Sequence, residues 1–233
     1  MAHEQEIERV KKYYSKRIEE NKKIPSNWLT PAPLYMLQRR EEETMKLLNK
    51  LGIGEFSTKS LLEIGCGNGS WISRWTNLGI PLESLYGIDI MEGYVETSKE
   101  LTTCPSQIQV SSVTQIPFKD ETFDIVSQST VFTSILDPHS RREGARELLR
   151  VLKKGGRVFW YDFRYPSPSN PNVRKVDKKE LEGLFPSCEI NIVSLTLLPP
   201  LIRKLSPLSF TLCRLLEKIP FLRSHYLAII KKI

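Results

Sequence analysis

The period of the apolar positions changes near residue 55. Over residues 3–23, Ile7, Val10, Tyr14 and Ile18 recur at helical spacing among charged residues, which predicts an amphipathic helix. Pro25, Pro31 and Pro33 break that helix and predict an extended connector around Trp28. Residues 34–51 predict a second helix, stopped by Gly52 and Gly54. Beyond it, short apolar bursts alternate with helical stretches. Strands are predicted near Ser60–Ile64, Leu85–Ile90, Gln107–Ser111, Phe123–Gln128 and Arg157–Tyr161. Helices are predicted near Ser70–Leu78, Glu92–Leu101 and Arg141–Leu152. Alternation of strand and helix requires crossover connections, hence a parallel sheet with helices on both faces. A loop rich in proline and asparagine follows at 164–173, then a short helix near Lys178–Leu184. The end reads as a strand at 189–198, a helical region at 201–219 punctuated by proline, and a last strand at 225–231.

Composition narrows the class. The chain has 233 residues, 40% hydrophobic and 26% charged, which excludes collagen-like, coiled-coil and wholly disordered readings. It suits one domain with accessories. No apolar run approaches the ~18 residues of a spanning helix. Glu4, Glu6, Glu8 and Arg9 argue against a secretory signal. Cys66, Cys104, Cys188 and Cys213 form no CxxC pair, so no metal site or disulfide framework is expected, and a reducing cytoplasm is. The net charge is +7, and residues 201–233 carry seven basic side chains against Glu217. The basicity therefore belongs to one region rather than to the whole surface.

Candidate chemistry concentrates at 61–70. There a buried strand runs into Gly65-Cys66-Gly67-Asn68-Gly69 and then a helix. Glycines permit a sharp turn and close approach of a ligand, and a helix start offers free N–H groups. Asp89 ends the next strand, placed to accept hydrogen bonds from two ribose hydroxyls. The order predicts a nucleoside-containing cofactor at the carboxyl end of a parallel sheet; a glycine turn with Asp89 as a helix cap is the plain alternative. Glu63 discriminates among cofactors. A carboxylate would repel a pyrophosphate and attract the ammonium of an amino-acid moiety.

With Glu63-x-Gly65-x-Gly67-x-Gly69 and Gly87-x-Asp89, the sequence resembles the class I S-adenosylmethionine-dependent methyltransferases. Residues 116–126 and 147–157 are similar to the blocks that enter that family's fourth and fifth strands. The resemblance covers about residues 60–165 and is silent on substrate. It implies an α/β, Rossmann-like three-layer sandwich with a seven-stranded, mostly parallel sheet whose last strand is antiparallel. It implies an extension or lid at 1–54, a cofactor-binding core at 55–165, and closing strands with a basic helical insert at 166–233, one domain overall. S-adenosylmethionine would be held by Glu63, Gly65, Cys66, Gly67, Gly69, Asp89, Ile90, Ser112, Val113, Gln128 and Ser129. Glu63 would face the methionine end and Asp89 the ribose. Ile90 and Val113 would flank the adenine, and Gln128 and Ser129 the sulfonium side. Ser112 stands where many members carry an acid, so its contact with the adenine is weaker or water-mediated.

Catalytic residues are less legible. His139, Asp162 and Tyr161 are the candidates for a general base, with Asp137 capping the following helix as the alternative for its segment. His3 and His225 read as surface residues. Tyr13, Tyr14 and Trp28 suit either a lid over the cofactor or a packing helix. Loop 164–173 suits a fixed pocket wall, with Arg164 and Arg174 available to an acidic group or simply solvated. The leucines and basic residues of 201–223 suit a packed subdomain, an anionic membrane surface or nucleic acid; Phe210 and Phe221 are few aromatics for stacking bases. The expected activity is methyl transfer to a small-molecule, lipid-linked or sugar acceptor, in the cytoplasm or at the membrane periphery. An RNA methyltransferase, or a catalytically silent copy of the fold that binds cofactor or a partner, is the rival.

Overall fold

The computed structural model describes residues 2–21, 30–101, 107–167 and 170–233. Trp28, Pro25 and Cys104 lie outside the described residues, as do Pro168 and Ser169 of the proline-rich loop. In chain order the elements are α1 (Ala2–Asn21), α2 (Pro31–Lys50), β1 (Leu61–Ile64), α3 (Ile72–Asn77), β2 (Leu85–Asp89), α4 (Glu92–Leu101), β3 (Ile108–Val110), β4 (Phe123–Ser129), α5 (Pro138–Val151), β5 (Leu152–Phe163), α6 (Lys178–Leu184), β6 (Cys188–Leu197), α7 (Pro199–Leu205), α8 (Phe210–Glu217) and β7 (Arg223–Lys232).

The seven strands form one sheet in the order β3-β2-β1-β4-β5-β7-β6. β7 runs antiparallel to both its neighbours, β5 and β6, and the other pairs are parallel. All four residues of β1 are buried, as expected of a central strand covered on both faces. One face packs Leu62, Ile64, Val126 and Trp160 beneath α5 and α6. The other packs Leu61, Ile125, Phe159 and Leu227 beneath α2, α3 and α4. A smaller cluster of Tyr35, Leu197, Ile202 and Cys213 lies under α7 and α8.

Local sequence explains the helix starts. Asp137 accepts from the Ser140 N–H at 2.7 Å, and Pro138 occupies the first turn of α5. Asp177 and Ser209 cap α6 and α8 in the same way. Two expectations are corrected here. Pro31 and Pro33 do not extend the connector; they open α2, where a missing N–H costs nothing. His225 is not on the surface but buried in β7, stacked on Tyr161 with centroids 4.6 Å apart. Burial pushes its pKa down to about 3, so the ring stays neutral.

Candidate active site

A cavity of about 550 Å³ opens at the carboxyl edge of β1, β2 and β4. The strand order reverses between β1 and β4, where open α/β sheets place their ligands. The cavity floor is the turn after β1. Gly65 holds φ +65°, and a Cβ there would lie 2.4 Å from Val131 Cγ2. Gly67 holds φ +55°, and a Cβ there would meet nothing within 4 Å, because its open side is the cavity. Glycine at the first position serves packing; at the second it leaves ligand space.

Asp89 forms the next wall and is buried. Its Oδ2 accepts the Gly67 N–H and its Oδ1 the Met91 N–H, each at 2.9 Å. Burial raises its pKa, and these N–H groups pull it back. A carboxylate has about four lone-pair sites, so two remain for hydroxyls. Ile90, Met91, Ser112 and Val113 continue the wall, and Ser129, Thr130 and Val131 complete it at the end of β4. Ser112 Oγ is 2.7 Å from Thr114 Oγ1.

α1 closes the cavity from above, contributing Glu6, Ile7, Val10, Tyr14 and Arg17. The Tyr14 and Ser134 hydroxyls lie 2.8 Å apart, and Arg9 donates to the Ser134 carbonyl. Glu6 accepts from the Leu136 and Asp137 N–H groups. Burial works to raise the Glu6 pKa, but Arg9 and those N–H groups outweigh it and hold the carboxyl below its ordinary value.

The strand pleat sorts the remaining expected residues. Successive side chains in a strand point to opposite faces. Ile64 therefore lines the cavity, while Glu63 turns under α3, wholly buried, and accepts from Trp75 Nε1 at 3.0 Å. Burial raises its pKa, opposed by the Arg40 charge, Ser127 and Trp75. Cys66 is buried away from the cavity, among Ile72 and Gly87, and burial pushes its thiol up. Gln128 is buried beneath the wall, where its Oε1 accepts the Val131 N–H at 3.1 Å. Of the cofactor residues expected from sequence, Gly65, Gly67, Asp89, Ile90, Ser112, Val113 and Ser129 line the cavity, and Glu63, Cys66, Gly69 and Gln128 stand outside its lining.

None of His139, Tyr161 and Asp162 lines it either. His139 projects into solvent because Asp137 caps α5, and its Nδ1 is 3.5 Å from Glu143. The Tyr161 hydroxyl is 3.0 Å from Thr196 Oγ1, on the α2 face. Asp162 points to the other face and accepts from the Thr133 and Phe163 N–H groups. Burial raises it to about 7, against those N–H groups and the Arg141 charge. Arg174 is paired with Glu180 at 2.9 Å, and Arg164 donates to the Pro220 carbonyl.

Sequence reasoning missed two arginines. Arg40 reaches from α2 to donate to Ser129 Oγ at 2.7 Å, lying 3.7 Å from the Trp71 ring centroid and 4.4 Å from that of Tyr161. Burial lowers its pKa, while Tyr161 and Glu63 act to raise it. Arg141 is fully buried and donates to the carbonyls of Ile135, Arg174 and Lys175 and to Glu180, fixing the turn that carries Ile135 into the cavity wall. No motif announces either; a charged residue on an otherwise apolar helix face was the available signal.

Residues 62–160 match the family described as methyltransferase domain. That stretch of the chain is similar to a methyltransferase domain. It is 24% identical over 154 residues to a demethylmenaquinone methyltransferase of Clavibacter sepedonicus, covering 65% of this chain and 60% of that one. It is 27% identical over 124 residues to one from Staphylococcus aureus strain JH9, covering 52% and 49%. The chain thus matches between about half and three-fifths of the length of these relatives. A SAM-dependent methyltransferase from Archaeoglobus fulgidus shares the fold at TM-score 0.60 and 18% identity, covering 82% of this chain and 94% of that one. Proteins of the kind named for that neighbour use S-adenosylmethionine, and the cavity fits it. The volume is within the roughly 300–1,000 Å³ of small-molecule sites, Gly67 leaves its side open, and Asp89 keeps lone pairs for two hydroxyls.

Proposed function

We propose that this chain is an S-adenosylmethionine-dependent methyltransferase that acts on a small, largely apolar acceptor of the quinone or lipid-linked kind. The observation that carries the reading is the composition of the cavity on the side away from the nucleoside half. Ile7, Val10, Val131 and Ile135 line it there, under the roof of α1. The similarity to proteins named demethylmenaquinone methyltransferases supports the same acceptor class.

S-adenosylmethionine would supply a methyl group already activated on sulfur. The chain must add binding, alignment and exclusion of water. Gly65, Gly67 and Asp89 would hold the nucleoside half, with Ile90, Met91 and Val113 against its ring. Ser129, backed by Arg40, would stand at the end toward the reacting groups. The α1 roof, latched through Glu6, Arg9 and Tyr14, would keep water out.

Two measurements test this. Calorimetric titration with S-adenosylmethionine should show binding. Incubation with tritiated cofactor and a demethylated quinone should then give labelled, solvent-extractable product. Binding without turnover on apolar acceptors, together with labelling of RNA, would overturn the acceptor assignment. Absence of binding would leave a silent scaffold.

A further inference from the structure

Among the described residues, nine large apolar side chains are exposed, and five of them fall within residues 208–221. Leu212 and Leu215, three residues apart, share one side of α8, with Leu208 just before the helix and Ile219 just after it. Phe221 follows in the next turn. Leu208 is 77% exposed and Phe221 67%. The opposite side of the same segment supplies the packing: Cys213 is buried, and Phe210 meets the Tyr35 ring at 5.4 Å. The exposed ridge is therefore not core that failed to find a partner within the chain.

Charge surrounds this ridge with one sign. Arg203, Lys204, Arg214 and Lys218 are exposed beside it. The single acid of 201–233, Glu217, is buried, accepting from the Tyr35 hydroxyl at 2.7 Å, from Arg39 and from the Thr196 N–H. From the neighbouring α2, Glu42 comes within 3.5 Å of Arg214, and Glu42 is itself engaged by Arg39 and Lys46. Residues 201–223 thus present apolar and basic side chains outward and no acid.

The place in the fold adds direction. β5 ends against the start of β7, with Phe163 opposite His225, and β6 ends with Leu197 opposite Arg223. The connection carrying α7 and α8 therefore leaves the sheet at its carboxyl edge, the edge that holds the cavity.

We infer that residues 201–223 dock the protein on an anionic lipid surface, with Leu208, Leu212, Leu215, Ile219 and Phe221 entering the interface and the basic residues meeting headgroups. A ridge of leucine and phenylalanine rimmed by lysine and arginine matches a surface that is apolar within and negative at its face. Nucleic acid would use the charges and leave five apolar side chains in water. A second copy would bring two basic rims together. Docking is independent of which acceptor the cavity takes.

The test is flotation of the full chain with phosphatidylcholine vesicles, with and without phosphatidylglycerol. Binding is expected to the mixed vesicles and at least tenfold less to phosphatidylcholine alone. It should collapse in about 1 M salt, where charges are screened within about 3 Å. Each basic residue near such a surface is worth about fivefold in partition, so Arg203→Glu/Lys204→Glu should cost roughly 25-fold or more. Leu208→Ser/Phe221→Ser should also release the protein at unchanged salt. Both double variants change exposed side chains and should keep the parent melting temperature. Equal binding to neutral vesicles, no binding at low salt, or binding retained in either variant would overturn the inference. So would concentration-dependent dimerisation or nucleic-acid binding that these variants abolish while vesicle binding is absent.

Discussion

Asp89 does two jobs with one carboxylate. It ties the glycine turn to the start of α4 through Gly67 and Met91, and it faces the cavity. Asp89→Ala should weaken S-adenosylmethionine by about 2–4 kcal/mol, as expected for two lost charge-assisted hydrogen bonds. Unchanged affinity by calorimetry would remove the ribose assignment. Gly67→Val should abolish binding, since the new side chain would occupy cavity space, and should also lower the melting temperature, since φ +55° strains a β-branched residue. Glu63 and Arg40 make a second pair to probe. Each senses the other's charge in a buried setting. Denaturant unfolding of Arg40→Gln, Glu63→Gln and the double variant should be non-additive by about 0.5–3 kcal/mol. Strict additivity would mean that Glu63 answers only to Trp75 and Ser127. The glycine turn and Asp89 were readable from sequence because backbone conformation restricts residue type locally. The directions of Glu63, Gln128, Tyr161 and Asp162 were not, because the pleat gives each strand residue one of two faces and only the assembled sheet decides which.

At the scale of elements, α1 is held over the cavity by a few polar contacts at one end. The Glu6 carboxyl sits below its ordinary pKa when α1 is docked. Its contribution is therefore complete above about pH 4.5, the ordinary value, and is lost as pH falls through the lowered one. The protection factors of the α1 amides, which correct for the intrinsic pH dependence of exchange, should fall on acidification through that window. Glu6→Gln should exchange faster at neutral pH and lose the pH dependence; protection equal to the parent at neutral pH would show that α1 is held by its apolar face alone. The α-helical periodicity of residues 7–18 located this element from sequence. Its latch could not be seen there, since Glu6 finds its partners at Leu136 and Asp137, 130 residues away.

At the scale of the molecule, one buried acid links stability to pH. Asp162 titrates at about 7, far above an exposed aspartate. A raised folded-state pKa contributes stability that is fully present below the unfolded value of about 3.9 and lost as pH rises through 7. The melting temperature of Asp162→Asn relative to the parent should therefore climb between pH 4 and 8. A constant difference across that range would show that the carboxyl is not buried in solution. The parallel sheet was legible because strand and helix periods alternate, and its antiparallel last strand was implied by the family resemblance; the order of the strands was not stated by either. The exposed ridge was not legible, since leucines at helical spacing look the same whether they face core or solvent. The reversal of β7 has a wider consequence. Because a single antiparallel strand sits between two parallel ones, the β6–β7 link emerges at the same edge of the sheet as the cavity, while the cavity's floor at the ends of β1 and β2 is built from a different stretch of chain. Length and composition of that link can then vary without disturbing the cavity floor, so where such a protein sits in the cell is free to change while what its cavity holds stays the same.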